Sequence, residues 1–173
     1  MRHAAWLVIA LVVGLPDAAR ADAFKELDLL RPGRAAAAAD FTVPDLAGQP
    51  LRLRDFKGKV VFLNFWATWC PPCKEEMPSM ERLYRRHKAK GFTILALSID
   101  SGGASPVGAF VKKLGLTFPI GLDSKMTVAN GYAVRGLPAT FLIDGKGVIA
   151  AMAIGPRDWD GKAAHAVIEA LLR

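Results

Sequence analysis

The amino-acid sequence predicts an α/β fold: a central mixed sheet with helices on both faces, preceded by a small β-hairpin. Three observations carry this. Val60–Phe65 and Phe92–Ile99 are nearly continuous apolar, β-rich runs, the mark of strands buried on both faces. Between and after them, apolar residues recur every three or four positions, the period of a helix. The remaining short apolar runs are separated by turn residues. The resulting order is a hairpin, then β-α-β-α-β, then a β-hairpin and a helix.

The first segment reads as an address. Met1-Arg2-His3 is a basic start, Ala4–Leu15 is a run of twelve apolar residues, and Pro16 ends it. Ala19-Arg20-Ala21 and Ala21-Asp22-Ala23 both fit a small-x-small cleavage site, completing the layout of a secretory signal peptide over residues 1–21. As a helix, the run would span about 18 Å, short of the roughly 30 Å hydrocarbon core, so cleavage is expected over anchoring. The mature chain is then expected in an oxidising compartment, the periplasm for a Gram-negative source. Residues 22–39 read as a lead-in, broken at Pro32-Gly33, and residues 40–173 as one domain without repeats.

Within that domain, Phe41–Val43 and Leu51–Leu53 alternate around the turn residues Asp45–Gly48, giving the hairpin. Val60–Phe65 follows, with Asn64 its one polar member. A helix is predicted over Pro71–Lys88, with Met77, Met80, Leu83, Tyr84 and His87 on its apolar face and Pro78 expected to kink it. After the strand Phe92–Ile99, Val107–Leu114 reads as a helix with Ser105 as cap and Pro106 at its first position. Phe118–Leu122, Ala139–Ile143 and Val148–Ile154 read as short strands, the last two joined by Gly145–Gly147. Ala163–Leu172 closes the chain as an amphipathic helix.

Composition excludes several classes. At 173 residues and 52% hydrophobic, the chain can bury a core without a staple and is too apolar to be disordered. No apolar stretch long enough to span a bilayer follows the N-terminus. The net charge of +7 could suggest nucleic acid, but its densest cluster (Arg82, Arg85, Arg86, Lys88, Lys90) fits a solvated helix face, with no interleaved aromatics for base stacking. No nucleic-acid partner is expected.

Both cysteines lie in Trp69-Cys70-Pro71-Pro72-Cys73, between a strand and a helix. A disulfide closing so short a loop would stabilise by only about 2 kcal/mol, so it is a poor staple. It is a good redox switch. Cys70 falls at a helix N-terminus, where free N–H groups and the dipole stabilise a thiolate. That thiolate attacks a disulfide, and Cys73 is near enough to resolve the mixed disulfide. No cofactor beyond the Cys70–Cys73 pair is called for. His87 and His165 lack metal-like partners at i+3 or i+4, and Met77 and Met80 read as core, so no metal site is predicted. Trp159, in a polar turn, shows no role.

The stretches Lys59–Pro78 (KVVFLNFWATWCPPCKEEMP) and Val134–Asp144 (VRGLPATFLID) resemble the thioredoxin superfamily, and more narrowly the TlpA/ResA-type periplasmic thiol-disulfide reductases. The similarity runs from about Asp40 to the C-terminus. It implies a four- or five-stranded thioredoxin fold with an N-terminal hairpin and a cis peptide before Pro138. It implies a protein disulfide reductase, with cytochrome c or cytochrome oxidase biogenesis as its field. Its partners would be disulfide-bearing periplasmic proteins and a membrane electron donor of the DsbD/CcdA type, the protein itself acting as a monomer. By the same resemblance, Asn64 stands where thioredoxin has a buried proton-accepting aspartate. Glu76 would handle the proton of Cys73, and Leu137, before the cis proline, would pair its backbone with substrate. Trp69 and Pro71 would offer apolar contact beside the disulfide, next to Pro138.

Two departures matter. The cis-proline loop reads Gly-Leu-Pro-Ala-Thr, so Ala139 cannot supply the acidic contact of the dedicated cytochrome c maturation reductases. A peroxiredoxin would have threonine three residues, and proline seven, before its reactive cysteine; here stand Ala67 and Leu63. Two competing readings use the same pair: a Cu(I)-binding chaperone, since soft thiolates suit Cu(I), and a binding module with a vestigial motif.

Overall fold

The computed structural model describes residues 17–173, with side chains from Asp22 onward. Residues 1–16 of the predicted export segment lie outside the described residues; its last five begin helix α1 (Asp17–Glu26). A five-stranded mixed sheet forms the centre: β3 (Val60–Trp66), β4 (Phe92–Ser98), β5 (Ile120–Leu122), β6 (Ala139–Ile143) and β7 (Ile149–Ile154), in the spatial order β5-β4-β3-β6-β7. β3, β4 and β5 run parallel; β6 and β7 are antiparallel to their neighbours. The hairpin β1 (Thr42–Pro44) and β2 (Pro50–Arg52) pairs Val43 with Leu51. Asp45 makes its turn, its Oδ1 accepting from the N–H groups of Ala47 and Gln49.

β3 and β4 are buried along their whole length, which is why their sequences do not alternate. The side chains of β3 leave on opposite faces. Phe62, Asn64 and Trp66 meet Trp159, Glu76 of α2 (Pro71–His87) and Phe110 of α3 (Ala104–Leu114). On the other face, Phe65 meets Tyr132, which follows α4 (Thr127–Gly131). Helices cover both faces, as the sequence predicts. The Cys70 and Cys73 side chains lie among the buried residues at the carboxyl end of β3.

Three features are not read from the sequence. α3 starts earlier, at Ala104, behind Gly103 (φ 73°, ψ −154°), and Ser105 and Pro106 lie inside its first turn with no side-chain cap. The entry demands a positive φ, which glycine supplies and serine does not. The lead-in of residues 22–39 packs on the domain: Ala23, Phe24, Leu27 and Leu29 join the core and α1 packs on α5 (Lys162–Leu171). Leu30 and Ala37 then pair with Met152 and Val148, covering the outer edge of β7 that would otherwise be open to pairing. The third is α4, which no sequence periodicity announces. Asp123 anchors it, its carboxylate accepting from the N–H groups of Val128 and Ala129 at 3.2 and 2.8 Å. At Pro78, α2 continues through the proline without ending.

Candidate active site

β3 delivers the chain to the disulfide through Ala67, Thr68 and Trp69. Buried Asp100, just past β4, holds this loop: its carboxylate accepts from the N–H of Thr68 at 2.9 Å, the Thr68 hydroxyl at 2.5 Å and the Ser98 hydroxyl at 2.7 Å. Cys70 is then the N-cap of α2, with Pro71 and Pro72 at the first two helical positions. Neither proline has an N–H, so the first free donor is that of Cys73, which points at Cys70 Sγ from 3.3 Å. The two cysteines are joined by a disulfide, S–S 2.01 Å, Cα–Cα 5.4 Å.

The two sulfurs are not equivalent. Cys73 is wholly buried, whereas Cys70 lines an open groove of about 470 Å³. Trp69, Pro71, Ile99, Met126 and Leu137 give that groove apolar walls, and Arg135 its one charge. Trp69 stands 64% exposed at the rim. The Leu137–Pro138 peptide is cis, and the Pro138 carbonyl accepts from the N–H of Gly155 at 2.8 Å. A larger cleft of about 540 Å³, between the hairpin and α4, holds none of the predicted site residues.

Glu76 lies one turn beyond Cys73 and is only 2% exposed. Its Oε1 accepts from Asn64 Nδ2 at 3.0 Å; its Oε2 accepts from the Trp159 indole N–H at 3.0 Å and the Arg157 backbone N–H at 3.3 Å. Burial pushes the carboxyl up to about 7, against the pull of those three donors and the Arg157 charge. Asn64 also donates to the Thr140 hydroxyl at 3.0 Å, and its own Oδ1 is buried without a partner. Glu76 borders a second, polar cleft of about 400 Å³, with Glu75, Ser79, Arg82, Arg157 and Asp158, that shares no residue with the Cys70 groove.

The structure thus gathers Trp69, Cys70, Pro71 and Leu137 at one groove, with Pro138 beside Leu137, and sets Cys73 and Glu76 behind it. Sequence reading misses Asp100, Arg157 and Trp159. Their partners lie 32, 81 and 83 residues away, and no local pattern marks them. His87 and His165 sit elsewhere, ring to ring at 2.9 Å between α2 and α5. Among the described residues, no group of three or more His, Cys, Asp or Glu is placed to hold a metal ion.

A mixed five-stranded sheet, a redox-capable cysteine pair capping the helix after its central strand, and a cis proline nearby together define a thioredoxin-fold disulfide oxidoreductase. The chain belongs to the AhpC/TSA family of the thioredoxin superfamily, whose pattern matches residues 35–152. It is 46% identical over 118 residues to the thiol-disulfide oxidoreductase ResA of Bacillus anthracis, covering 68% of each chain. To ResA of Geobacillus kaustophilus it is 49% identical over 112 residues, covering 65% of this chain and 64% of that one. Among solved structures, a Chlorobium tepidum protein assigned as thiol:disulfide interchange protein DsbE superposes with a TM-score of 0.75 at 34% identity, covering 81% of this chain and 98% of that one. StoA of Bacillus subtilis gives a TM-score of 0.61 at 33% identity, covering 71% and 92%.

Proposed function

We propose that this thiol-disulfide oxidoreductase is an exported reductant of disulfides in other periplasmic proteins, serving cytochrome c or cytochrome oxidase biogenesis, with residues 1–21 as its export signal. The observation that carries the reading is the asymmetry of the cysteines: Cys70 opens onto an apolar groove and Cys73 is sealed behind it. The Cys70 thiolate attacks one sulfur of a substrate disulfide, forming a mixed disulfide and releasing the other sulfur as a thiolate. Cys73 passes its proton to the Glu76 carboxylate and attacks Cys70 Sγ. The second substrate sulfur leaves and takes up a proton, and two electrons have passed to the substrate. A membrane donor of the DsbD/CcdA type then returns two electrons to the Cys70–Cys73 disulfide.

Trp69, Pro71 and Leu137 give the substrate apolar contact, and the backbone of Leu137, before the cis proline, pairs with an extended segment. Ala139 is small and buried, so recognition rests on that pairing and on apolar contact rather than on an acidic group. The polar cleft at Glu76 lets its proton leave while a substrate covers the groove.

The reducing direction has three supports. Pro71 and Pro72 remove two of the donors that would stabilise a Cys70 thiolate, leaving the one from Cys73. No cationic residue lies between the cysteines. A charged Glu76 disfavours a nearby thiolate.

The test is insulin reduction driven by dithiothreitol, with trapping variants. The wild type should accelerate precipitation and Cys70→Ser should not. Cys73→Ser should accumulate mixed disulfides through Cys70. Equal alkylation of the two thiols in the reduced protein would contradict the assignment of roles.

A further inference from the structure

Trp159 follows β7 in a turn of Pro, Arg and Asp residues, yet it is 1% exposed and among the largest fully buried side chains. Its ring stands edge-on to Phe62 of β3, centroids 4.6 Å apart. Its backbone N–H donates to the Ser79 hydroxyl at 3.0 Å, and that hydroxyl donates to the Glu76 carbonyl at 2.7 Å. The residue is therefore tied to the very turn of α2 that carries Glu76. Its indole N–H, a donor that can never accept, points at Glu76 Oε2.

We propose that Trp159 is a positioning residue for the Glu76 carboxyl, fixing which oxygen takes the proton during disulfide exchange. This role rests on the reading that Glu76 accepts the proton of Cys73. A carboxylate oxygen offers about two lone-pair sites. Both sites of Oε2 are filled, by Trp159 Nε1 and the Arg157 N–H; Oε1 takes one donor, from Asn64, and keeps one site open. The incoming proton goes to Oε1. The same indole donor stabilises the charged form and opposes the burial that raises the carboxyl. It keeps Glu76 able to be a base near neutral pH instead of locked as an acid.

Arg157 extends the arrangement. While its backbone N–H holds Oε2, its guanidinium donates to the Leu27 carbonyl at 2.7 Å and to Asp28 Oδ2 at 3.1 Å. The turn that carries both donors is thereby bolted to the chain after α1.

The test compares wild type, Trp159→Phe, Glu76→Gln and the double variant. Phenylalanine keeps a ring against Phe62 and removes only the N–H. The readout is the pH profile of mixed-disulfide resolution in single turnover. Loss of one hydrogen bond to a charged group should move the Glu76 limb of that profile to higher pH by on the order of one unit. Glu76→Gln should abolish the limb, and Trp159→Phe should then shift nothing further. A Trp159→Phe profile superimposable on wild type, with the limb still lost in Glu76→Gln, overturns the proposal and leaves the role of Glu76 intact. A limb that survives Glu76→Gln overturns both. A second measurement needs no Trp159 variant: in the unsubstituted protein the Trp159 indole N–H resonance should titrate with the Glu76 carboxyl, near pH 7, and stop doing so in Glu76→Gln. An indole resonance that does not move with pH also overturns the proposal.

Discussion

Replacing Glu76 by glutamine should erase a large pH dependence of stability. In the unfolded chain the carboxyl has its ordinary value of 4.5; in the folded protein burial raises it to about 7. Between those values the folded state holds more protons than the unfolded state, so stability falls as pH rises. The contribution is complete below pH 4.5 and lost once the pH passes about 7. At roughly 1.4 kcal/mol per unit, it amounts to about 3 kcal/mol. Glutamine cannot ionise, and the site can accept it. Its oxygen can take the Trp159 and Arg157 donors, and its NH₂ can face Asn64, whose amide turns to offer the oxygen that now lacks a partner. The assay is urea unfolding of the disulfide form, in which neither cysteine titrates, for both proteins from pH 4.5 to 8. Other titrations cancel in the difference between them. Across that range the wild type should lose about 3 kcal/mol relative to Glu76→Gln. A difference that stays constant to within about 0.5 kcal/mol would refute the reasoning, because Glu76 would then ionise alike in both states.

Three further outcomes are expected. An added Cβ at Gly121 would lie 2.5 Å from Leu97 Cδ2 and 2.7 Å from Val43 Cγ2, so Gly121→Ala should cost about 1–3 kcal/mol by overpacking and loosen the hairpin. Lowered thermal stability with faster amide exchange at Thr42 and Val43 checks it; an unchanged melting temperature contradicts it. His165 Nε2 faces Asp160 Oδ1 at 3.1 Å and must carry a proton, which leaves its Nδ1 to accept from His87 Nε2–H and leaves buried His87 Nδ1 bare. Nitrogen NMR at neutral pH should show that tautomer. Burial first, then the neighbouring Lys90 and Arg86 charges, against the pull of Glu169, hold His87 below 6.5, so its contribution to stability should fade as the solution is acidified below that value.

Much of this molecule is legible in its sequence, where the cause is local. Val60–Trp66 is apolar but for Asn64 because every one of its side chains is buried. Of the predicted helical face, Met77, Met80, Leu83 and His87 are buried and Tyr84 is half-buried at its edge. The cysteine spacing gives the redox pair; the cis peptide before Pro138 follows only from the family resemblance, and the structure has it. What escapes is set by distant partners. Ala35–Ala39 carries little information of its own, yet Ala37 is fixed by the edge of β7. Ser105 looks like a cap, but the backbone entering α3 turns through a positive φ at Gly103. Trp159 looks idle in a polar turn because the carboxyl it serves is 83 residues upstream. Asp100 is equally silent, since its work is to hold Thr68 at the mouth of the site.

The central claim is that the Cys70–Cys73 pair reduces disulfides rather than making them, and a glutathione redox titration of the purified protein tests it most directly. Two missing helix donors at Pro71 and Pro72, and an ionisable Glu76 buried one turn beyond Cys73, hold back the thiolate on which a strongly oxidising potential depends. The midpoint should fall toward the thioredoxin end of the scale, near roughly −270 mV. A midpoint more positive than about −180 mV, where protein disulfide isomerase lies, would contradict the account and make the protein an oxidase or isomerase.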